Sequence, residues 1–251
     1  MYSINLILGL PTNVYVLWLI VTGAGGTMAS EFFALNLTVC EILYCLSAVL
    51  NYLNDYLFND TLGVGVAFFM GFISIGRPLF QCCICVERYL AVVHPVTFLK
   101  YKPLRYRVGC SCLGWMVVLG FSMLIALIST VLSNMVIFLL LNLSLWFYIK
   151  LFCCLAVLWA LKRPGPGEGE REGEGMNNMK LRAFRIISVI MVSMIVSYLP
   201  LVLILVSYHF IEVVEYSFGL SICSSFAIIS GFVQPLLYLH RSGKLPFVRG
   251  P

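Results

Sequence analysis

The sequence has little charge. Asp, Glu, Lys and Arg make up 11% of its 251 residues, whereas 61% of the residues are hydrophobic. Soluble domains contain about one-quarter charged residues, so this composition excludes an ordinary soluble domain. It predicts a membrane protein instead.

Long apolar segments take the place of the missing charge. A helix needs about 20 residues to cross the ~30 Å hydrocarbon core of a bilayer. Seven suitable segments lie at 4–22, 32–53, 62–89, 108–130, 134–161, 181–208 and 217–239. The predicted fold class is therefore an all-α membrane protein, with residues 1–251 forming a single seven-helix transmembrane domain. The fourth and fifth segments are separated only by Ser133-Asn134.

Basic residues are absent from some of the loops that connect these segments and concentrated in the others. Loops 90–107 and 162–180 and the tail 240–251 contain 4, 4 and 3 Lys or Arg residues, and the other loops contain none. Because Lys and Arg are enriched in cytoplasmic loops, the amino terminus is predicted outside and the carboxyl terminus in the cytoplasm. Residues 163–175 are rich in Gly, Glu and Pro, a composition that predicts a flexible cytoplasmic loop.

Cysteine is absent from the predicted outside loops as well. All ten cysteines fall in the predicted helices or at their ends, so we expect no extracellular disulfide. The first outside loop contains Asn59-Asp60-Thr61, which is an N-glycosylation acceptor sequence. Asn59 is therefore a candidate glycosylation site.

The third predicted helix ends in a specific series of residues. Glu87, Arg88 and Tyr89 follow an apolar stretch, and His94-Pro95 then disfavours further helix. Charges that reach the interface are common in membrane helices, which is the simpler interpretation. The triplet followed by Leu-Ala-Val-Val-His-Pro nevertheless resembles the cytoplasmic end of the third helix of rhodopsin-like (class A) G-protein-coupled receptors. The resemblance implies that the triplet is part of an activation switch.

Other motifs resemble the same family, in the same order along the chain. Residues 197–200, Ser-Tyr-Leu-Pro, are similar to the family's Cys-Trp-x-Pro, and residues 234–238 resemble its Asn-Pro-x-x-Tyr. The resemblance adds to the activation switch Tyr148, Tyr198, Pro200, Gln234, Pro235 and Tyr238. Pro200 would kink the sixth helix and provide a pivot. Arg88 would rest on Glu87, and after activation Tyr148 and Tyr238 would fill the core behind it.

Three polar residues lie inside the predicted membrane core. Asn13 is expected to find a hydrogen-bond partner in the bundle. Glu41 stands where the family has an Asp that coordinates sodium, and Arg77 where many members have a small polar sodium ligand. Both lie about 15 Å deep in the membrane, so we predict that the Arg77 guanidinium replaces the sodium ion and pairs with Glu41. In the alternative, Arg77 binds backbone carbonyls and Glu41 is neutral.

The outer halves of the predicted helices contain no Lys or Arg. Met70 stands where amine receptors have an Asp, and Ile228 where opsins have the retinal Lys, so we expect neither amines nor retinal as ligands. Without a cation, ligands bearing a phosphate or carboxylate are disfavoured too, and a neutral, cationic or apolar ligand fits better. The candidate ligand pocket consists of Asn51, Tyr52, Met70, Tyr208, His209, Tyr216 and Ser221.

The resemblance implies a receptor of the plasma membrane and not an enzyme. Its expected partners are an extracellular ligand, a heterotrimeric G protein and membrane lipid, without nucleic acid, cofactor or metal. Two alternatives stay open. The short loop between the fourth and fifth helices and the absence of the family's extracellular disulfide also suit a receptor-like protein that does not signal, or an incomplete gene product. A small transporter with Glu41 and Arg77 as a relay is opposed by the lack of an internal repeat.

Overall fold

The computed structural model describes residues 5–23, 31–57, 60–101, 103–128, 132–162, 174–207, 215, 218–219, 222–223, 225–226 and 231–241. Regular secondary structure in these ranges is helical throughout, and a π-helical turn, Asn5–Gly9, begins the first range. The α-helices are α1 (Leu10–Val21), α2 (Phe32–Leu57), α3 (Asp60–Val93), α4 (Pro95–Tyr101), α5 (Leu104–Ile128), α6 (Leu132–Lys162), α7 (Glu174–Val206) and α8 (Val233–Arg241).

Five of these helices are long and apolar enough to cross a membrane. Their apolar stretches are Phe32–Asn54, Leu62–Val93, Leu104–Leu127, Leu140–Leu161 and Ile187–Val206. The apolar stretch of the first helix, Leu6–Val21, is shorter. Eight of the 23 residues of the seventh predicted segment lie outside the described residues. An all-helical, multi-pass membrane protein is thus confirmed, whereas the seventh crossing and the orientation of the termini stay predictions.

Two helices differ from what apolar patterning predicts. The chain after His94 forms the short helix α4, because Pro95 is well tolerated at the first position of a new helix. Helix α7 begins at Glu174, inside the segment predicted to be flexible, while residues 163–173 lie outside the described part of the chain. Apolarity marks only the membrane-crossing part of a helix, so it cannot reveal a polar helical extension.

Helix α3 is the element against which most of the others pack. It contacts α2 and α5 through one apolar cluster, formed by the buried residues Leu37, Cys40, Ile75, Leu79, Phe80, Val118 and Ile125. It contacts α6 directly, and a second cluster, formed by Cys85, Cys153, Cys154, Val157 and Ile187, joins α3 and α6 to α7. Helices α1 and α8 pack together at the side of the bundle, around Leu19 and Leu239. Residues on α3 therefore reach several helices at once.

A glycine sets the distance between α3 and α5. A Cβ atom added to Gly71 would lie 2.9 Å from the Cα atom of Ser122 and 3.1 Å from Cδ1 of Ile125. Small residues allow membrane helices to approach closely and to gain van der Waals contact. The packing of α5 against α3 thus depends on the missing side chain of Gly71.

We expect Gly71→Ala to destabilise the protein by about 1–3 kcal/mol, because the new methyl group would push against the backbone of α5. Gly65→Ala is the matched control on the same helix, since nothing lies within 4 Å of a Cβ atom there. The control should be neutral or slightly stabilising, as alanine favours helix. Thermal unfolding of the two purified variants in detergent measures the difference. Equal melting temperatures for the two would show that α5 is not held as described.

Candidate functional site

Polar side chains of α3 contact other helices at three levels along its axis. Arg77, Gln81 and Glu87 each bind a residue of another helix. With a rise of 1.5 Å per residue, they span about 15 Å along the helix axis. Since polar groups within the membrane need partners inside the protein, these three contacts form the candidate functional site.

At the first level, Arg77 and Glu41 form an ion pair. The Arg77 Nε donates to Glu41 Oε1 over 2.6 Å, and the two side chains are 11% and 4% exposed. The guanidinium also lies 5.5 Å from the centre of the Tyr44 ring, close enough for a cation–π contact. The structure therefore brings together the two residues that the sequence predicted to pair, and it joins α2 to α3.

Space for the Arg77 guanidinium is provided by Gly231, just before α8. A Cβ atom added there would overlap Nη2 of Arg77 and lie 3.5 Å from Glu41 Oε2. Gly231 itself is buried. The ion pair thus lies where α2, α3 and the segment leading into α8 meet, and a side chain at residue 231 would require the end of the Arg77 side chain to move.

At the second level, Gln81 accepts two hydrogen bonds from two different helices. Lys150 Nζ on α6 lies 3.2 Å from Gln81 Oε1, and the Tyr198 hydroxyl on α7 donates to the same oxygen over 3.1 Å. Lys150 Nζ also lies 3.7 Å from the centre of the Tyr198 ring. A cavity of about 20 Å³, room for one water molecule, lies beside these side chains and is also lined by Ser193 and Ser197.

At the third level, near the end of α3, Glu87 forms an ion pair with Arg107 of α5. Arg107 Nη2 donates to Glu87 Oε1 over 2.6 Å, and the side chains are 6% and 12% exposed. The neighbouring Tyr89 hydroxyl lies 3.2 Å from His94 Nε2. Arg88 lies between Glu87 and Tyr89 in the sequence, and its side chain is half-buried. Its expected resting contact with Glu87 stays a prediction.

The family of the chain follows from a comparison with known proteins. The sequence profile of the 7 transmembrane receptor (rhodopsin family) matches residues 12–238. The chain belongs to this family. The contacts along α3 are therefore those of a membrane receptor and not of an enzyme, and the matched range extends from α1 to α8.

The receptor is also similar to individual curated proteins over part of its length. It is 29% identical to P2Y purinoceptor 8 of Gallus gallus over 125 residues, which are 47% of this chain and 34% of the relative. It is 31% identical to G-protein coupled receptor 68 of Bos taurus over 122 residues, 45% of this chain and 33% of the relative. It is 30% identical to P2Y purinoceptor 4 of Mus musculus over 125 residues, which are 47% of this chain and 34% of the relative. Each match thus covers about a third of the relative.

Three residues of the receptor's site were not assigned a role from sequence. Arg107 reads as an ordinary cytoplasmic charge, and Gln81 is a single polar residue in an apolar stretch. Lys150 is a charge inside an apolar span, which by itself signals a buried functional contact. That signal could have singled out Lys150, although it could not have named its partners.

Two more residues of the predicted site lie on α1 and α6. Asn13 is buried, but its amide donates to the Gly9 carbonyl of its own chain segment over 2.9 Å, and among the described residues its Oδ1 has no partner. No contact of Asn13 with another helix is found among the described residues, and the predicted contact stays a prediction. Tyr148 is 66% exposed and lies two residues from Lys150, at the level of Gln81. Its proposed place behind Arg88 in the active state stays a prediction.

The remaining members of the predicted switch are on helices α7 and α8. Tyr198 binds Gln81, and Pro200 lies inside α7. Tyr238 packs against the cluster of Val16, Leu19, Ile20 and Leu239 between α1 and α8. Pro235 is buried and Gln234 is helical, but the side chain of Gln234 lies outside the described part of the structure.

Most of the candidate ligand pocket cannot be placed. Tyr208, His209, Tyr216 and Ser221 lie outside the described residues, as does the glycosylation candidate Asn59. Asn51 and Met70 belong to α2 and α3, but their side chains are not among those described. Tyr52 is 70% exposed. The pocket therefore stays a prediction.

We expect Glu41→Leu and Arg77→Met each to destabilise the receptor by about 3–5 kcal/mol, because each leaves a buried charge without its partner. The double variant should be close to wild type, since two apolar side chains of similar volume can replace a buried ion pair. Thermal unfolding of all four proteins gives the interaction energy. Additive losses in the double variant would contradict the ion pair.

Proposed function

We propose that the receptor binds a ligand on the outer side of the plasma membrane and activates a heterotrimeric G protein on the cytoplasmic side. The chain would cross the membrane seven times, with its amino terminus outside. The observation that carries the proposal is the match to the receptor family over residues 12–238, which include the Glu87-Arg88-Tyr89 triplet at the end of α3. The basic residues in the predicted cytoplasmic loops support this orientation.

The activating movement would be an outward displacement of the cytoplasmic half of α7, which contains the sixth predicted membrane segment. Pro200 lacks a backbone N–H, so the helix is weakened at this position and can bend there. In the resting receptor, Cys85 of α3 and Cys154 of α6 pack against Ile187 of α7. Moving α7 outward would open this cluster and expose Arg88 to the inserted segment of a G protein. A ligand drives the change only as far as it prefers the active state.

The chemical class of the ligand is argued from charge. Two of the relatives are named purinoceptors. The predicted outer halves of the helices in this chain nevertheless contain no Lys or Arg, and Arg77 and Lys150 both bind partners inside the bundle. We therefore propose a neutral, cationic or apolar ligand at the predicted pocket.

The Arg77–Glu41 pair would make the receptor insensitive to sodium. A sodium ion is stabilised by negative oxygen ligands, and the guanidinium already occupies the space next to Glu41 Oε1. Gly231 leaves room for this side chain. The built-in cation would thus replace an exchangeable one.

We expect the melting temperature of the wild type to be the same in sodium chloride and in choline chloride at equal ionic strength. Arg77→Ser should become selectively more stable in sodium, because Glu41 then lacks its cation and a bound ion stabilises the folded state. The double variant Glu41→Gln, Arg77→Ser is the matched control and should lose this selectivity. Strong stabilisation of the wild type by sodium would refute the replacement.

Expressed in cells, the wild type should raise basal G-protein activation above mock-transfected cells, and Arg88→Ala should abolish this signal at equal surface expression. Arg171→Ala removes the same charge from the predicted cytoplasmic segment 163–175 and should leave the signal unchanged. A signal that persists in Arg88→Ala would contradict the proposed switch. A wild type that does not reach the surface would favour the non-signalling or incomplete alternative, which the short connection between α5 and α6 also supports.

A further inference from the structure

Lys150 is a buried charge that has no acidic partner among the described residues. Its side chain is 1% exposed and lies within the apolar stretch Leu140–Leu161 of α6. Among the residues that the structure describes, no carboxylate lies within 4 Å of its Nζ. An ionisable residue inside a membrane helix is costly and commonly has a function, so the contacts that compensate the Lys150 charge are informative.

Two groups compensate this charge, and they belong to two other helices. Gln81 Oε1 on α3 accepts a hydrogen bond from Lys150 Nζ, and the face of the Tyr198 ring on α7 lies 3.7 Å from the same atom. A cation over an aromatic ring is attracted by the ring's electrons, and the attraction is strongest where water is excluded. The charge of Lys150 therefore holds α6 to α3 and to α7.

The orientation of Tyr198 is fixed by the same two residues. Lys150 binds the face of its ring, and Gln81 accepts the hydrogen bond of its hydroxyl. Because the ring and the hydroxyl are both held, Tyr198 cannot change rotamer without losing one of these contacts. Tyr198 also lies two residues before Pro200, the proposed pivot of α7.

We infer that Lys150 and Gln81 are positioning residues that hold Tyr198, and with it α7, in the resting arrangement of the receptor. Activation would require Tyr198 to leave both the Lys150 ammonium and the Gln81 oxygen. The inference rests on the proposed function, since it assigns a restraint to the movement of α7. It concerns the resting structure directly, so it can be tested without measuring a signal.

A native thiol reports the separation of α7 from α3. Cys85 is 8% exposed, packs near Ile187 of α7 and lines the small cavity beside Lys150. Cys40 is 3% exposed and packs between α2, α3 and α5, away from α7. Movement of α7 should therefore expose Cys85 and leave Cys40 protected.

The experiment measures alkylation of Cys85 by membrane-permeant N-ethylmaleimide, read by peptide mass spectrometry and normalised to Cys40. Lys150→Met keeps the length of the side chain but removes its charge. We expect it to accelerate Cys85 alkylation about thirtyfold, the change in equilibrium that corresponds to the loss of one desolvated cation–π contact. Val118→Ala removes buried volume between α3 and α5 and is the packing control, for which the ratio should not change.

Gln81→Glu provides a test that is specific for charge. The new carboxylate has the shape of the amide and would pair with Lys150, so alkylation of Cys85 should become slower than in the wild type. In the Lys150→Met background the same substitution buries an unpaired acid and should make alkylation faster. An unchanged Cys85 rate in Lys150→Met, or the same direction of effect for Gln81→Glu in both backgrounds, would overturn the inference.

Basal G-protein activation of the same variants separates this inference from the proposed function. If Lys150→Met accelerates alkylation and also raises a signal that depends on Arg88, both are supported. If alkylation responds as expected but no variant gives a signal that depends on Arg88, the restraint on α7 stands and G-protein activation by this chain does not.

Discussion

Burial of charge in an apolar bundle is the constraint on which the rest of this structure depends. An ionised group inside a membrane must be compensated by the protein, and each compensating contact fixes two helices relative to each other. Arg77 joins α3 to α2, Lys150 joins α6 to α3 and α7, and Arg107 joins α5 to α3. The apolar clusters supply most of the contact area, but apolar side chains alone permit rotation and sliding of helices. The polar contacts select one arrangement.

The three contacts differ in how completely charge is balanced, and this suggests different roles. The Arg77–Glu41 and Arg107–Glu87 pairs are neutral as a whole, so separating them would leave two uncompensated charges. Lys150 is balanced only by an amide oxygen and an aromatic ring, which are weaker partners. The two ion pairs thus stabilise the part of the bundle formed by α2, α3 and α5. The weaker contact of Lys150 is made to α7, the helix that is proposed to move.

The helical class and the Glu41–Arg77 pair could be predicted from the sequence because both follow from position along the chain. Hydropathy gives the depth of a residue in the membrane, and two opposite charges at equal depth have few other partners. The contacts of Lys150 were harder to predict, because α6 is apolar on all sides and its sequence does not indicate which face points inward. Arg107 could not be told apart from other basic residues near the cytoplasm.

The packing of Arg77 against Gly231 restricts how this site can arise or be lost by mutation. A side chain at residue 231 would push the end of the Arg77 side chain away from its place beside Glu41. The two positions are distant in sequence, yet a substitution at residue 231 changes the geometry of the ion pair on α3. Glycine at residue 231 therefore favours arginine at residue 77, and the two residues act as one unit in the bundle.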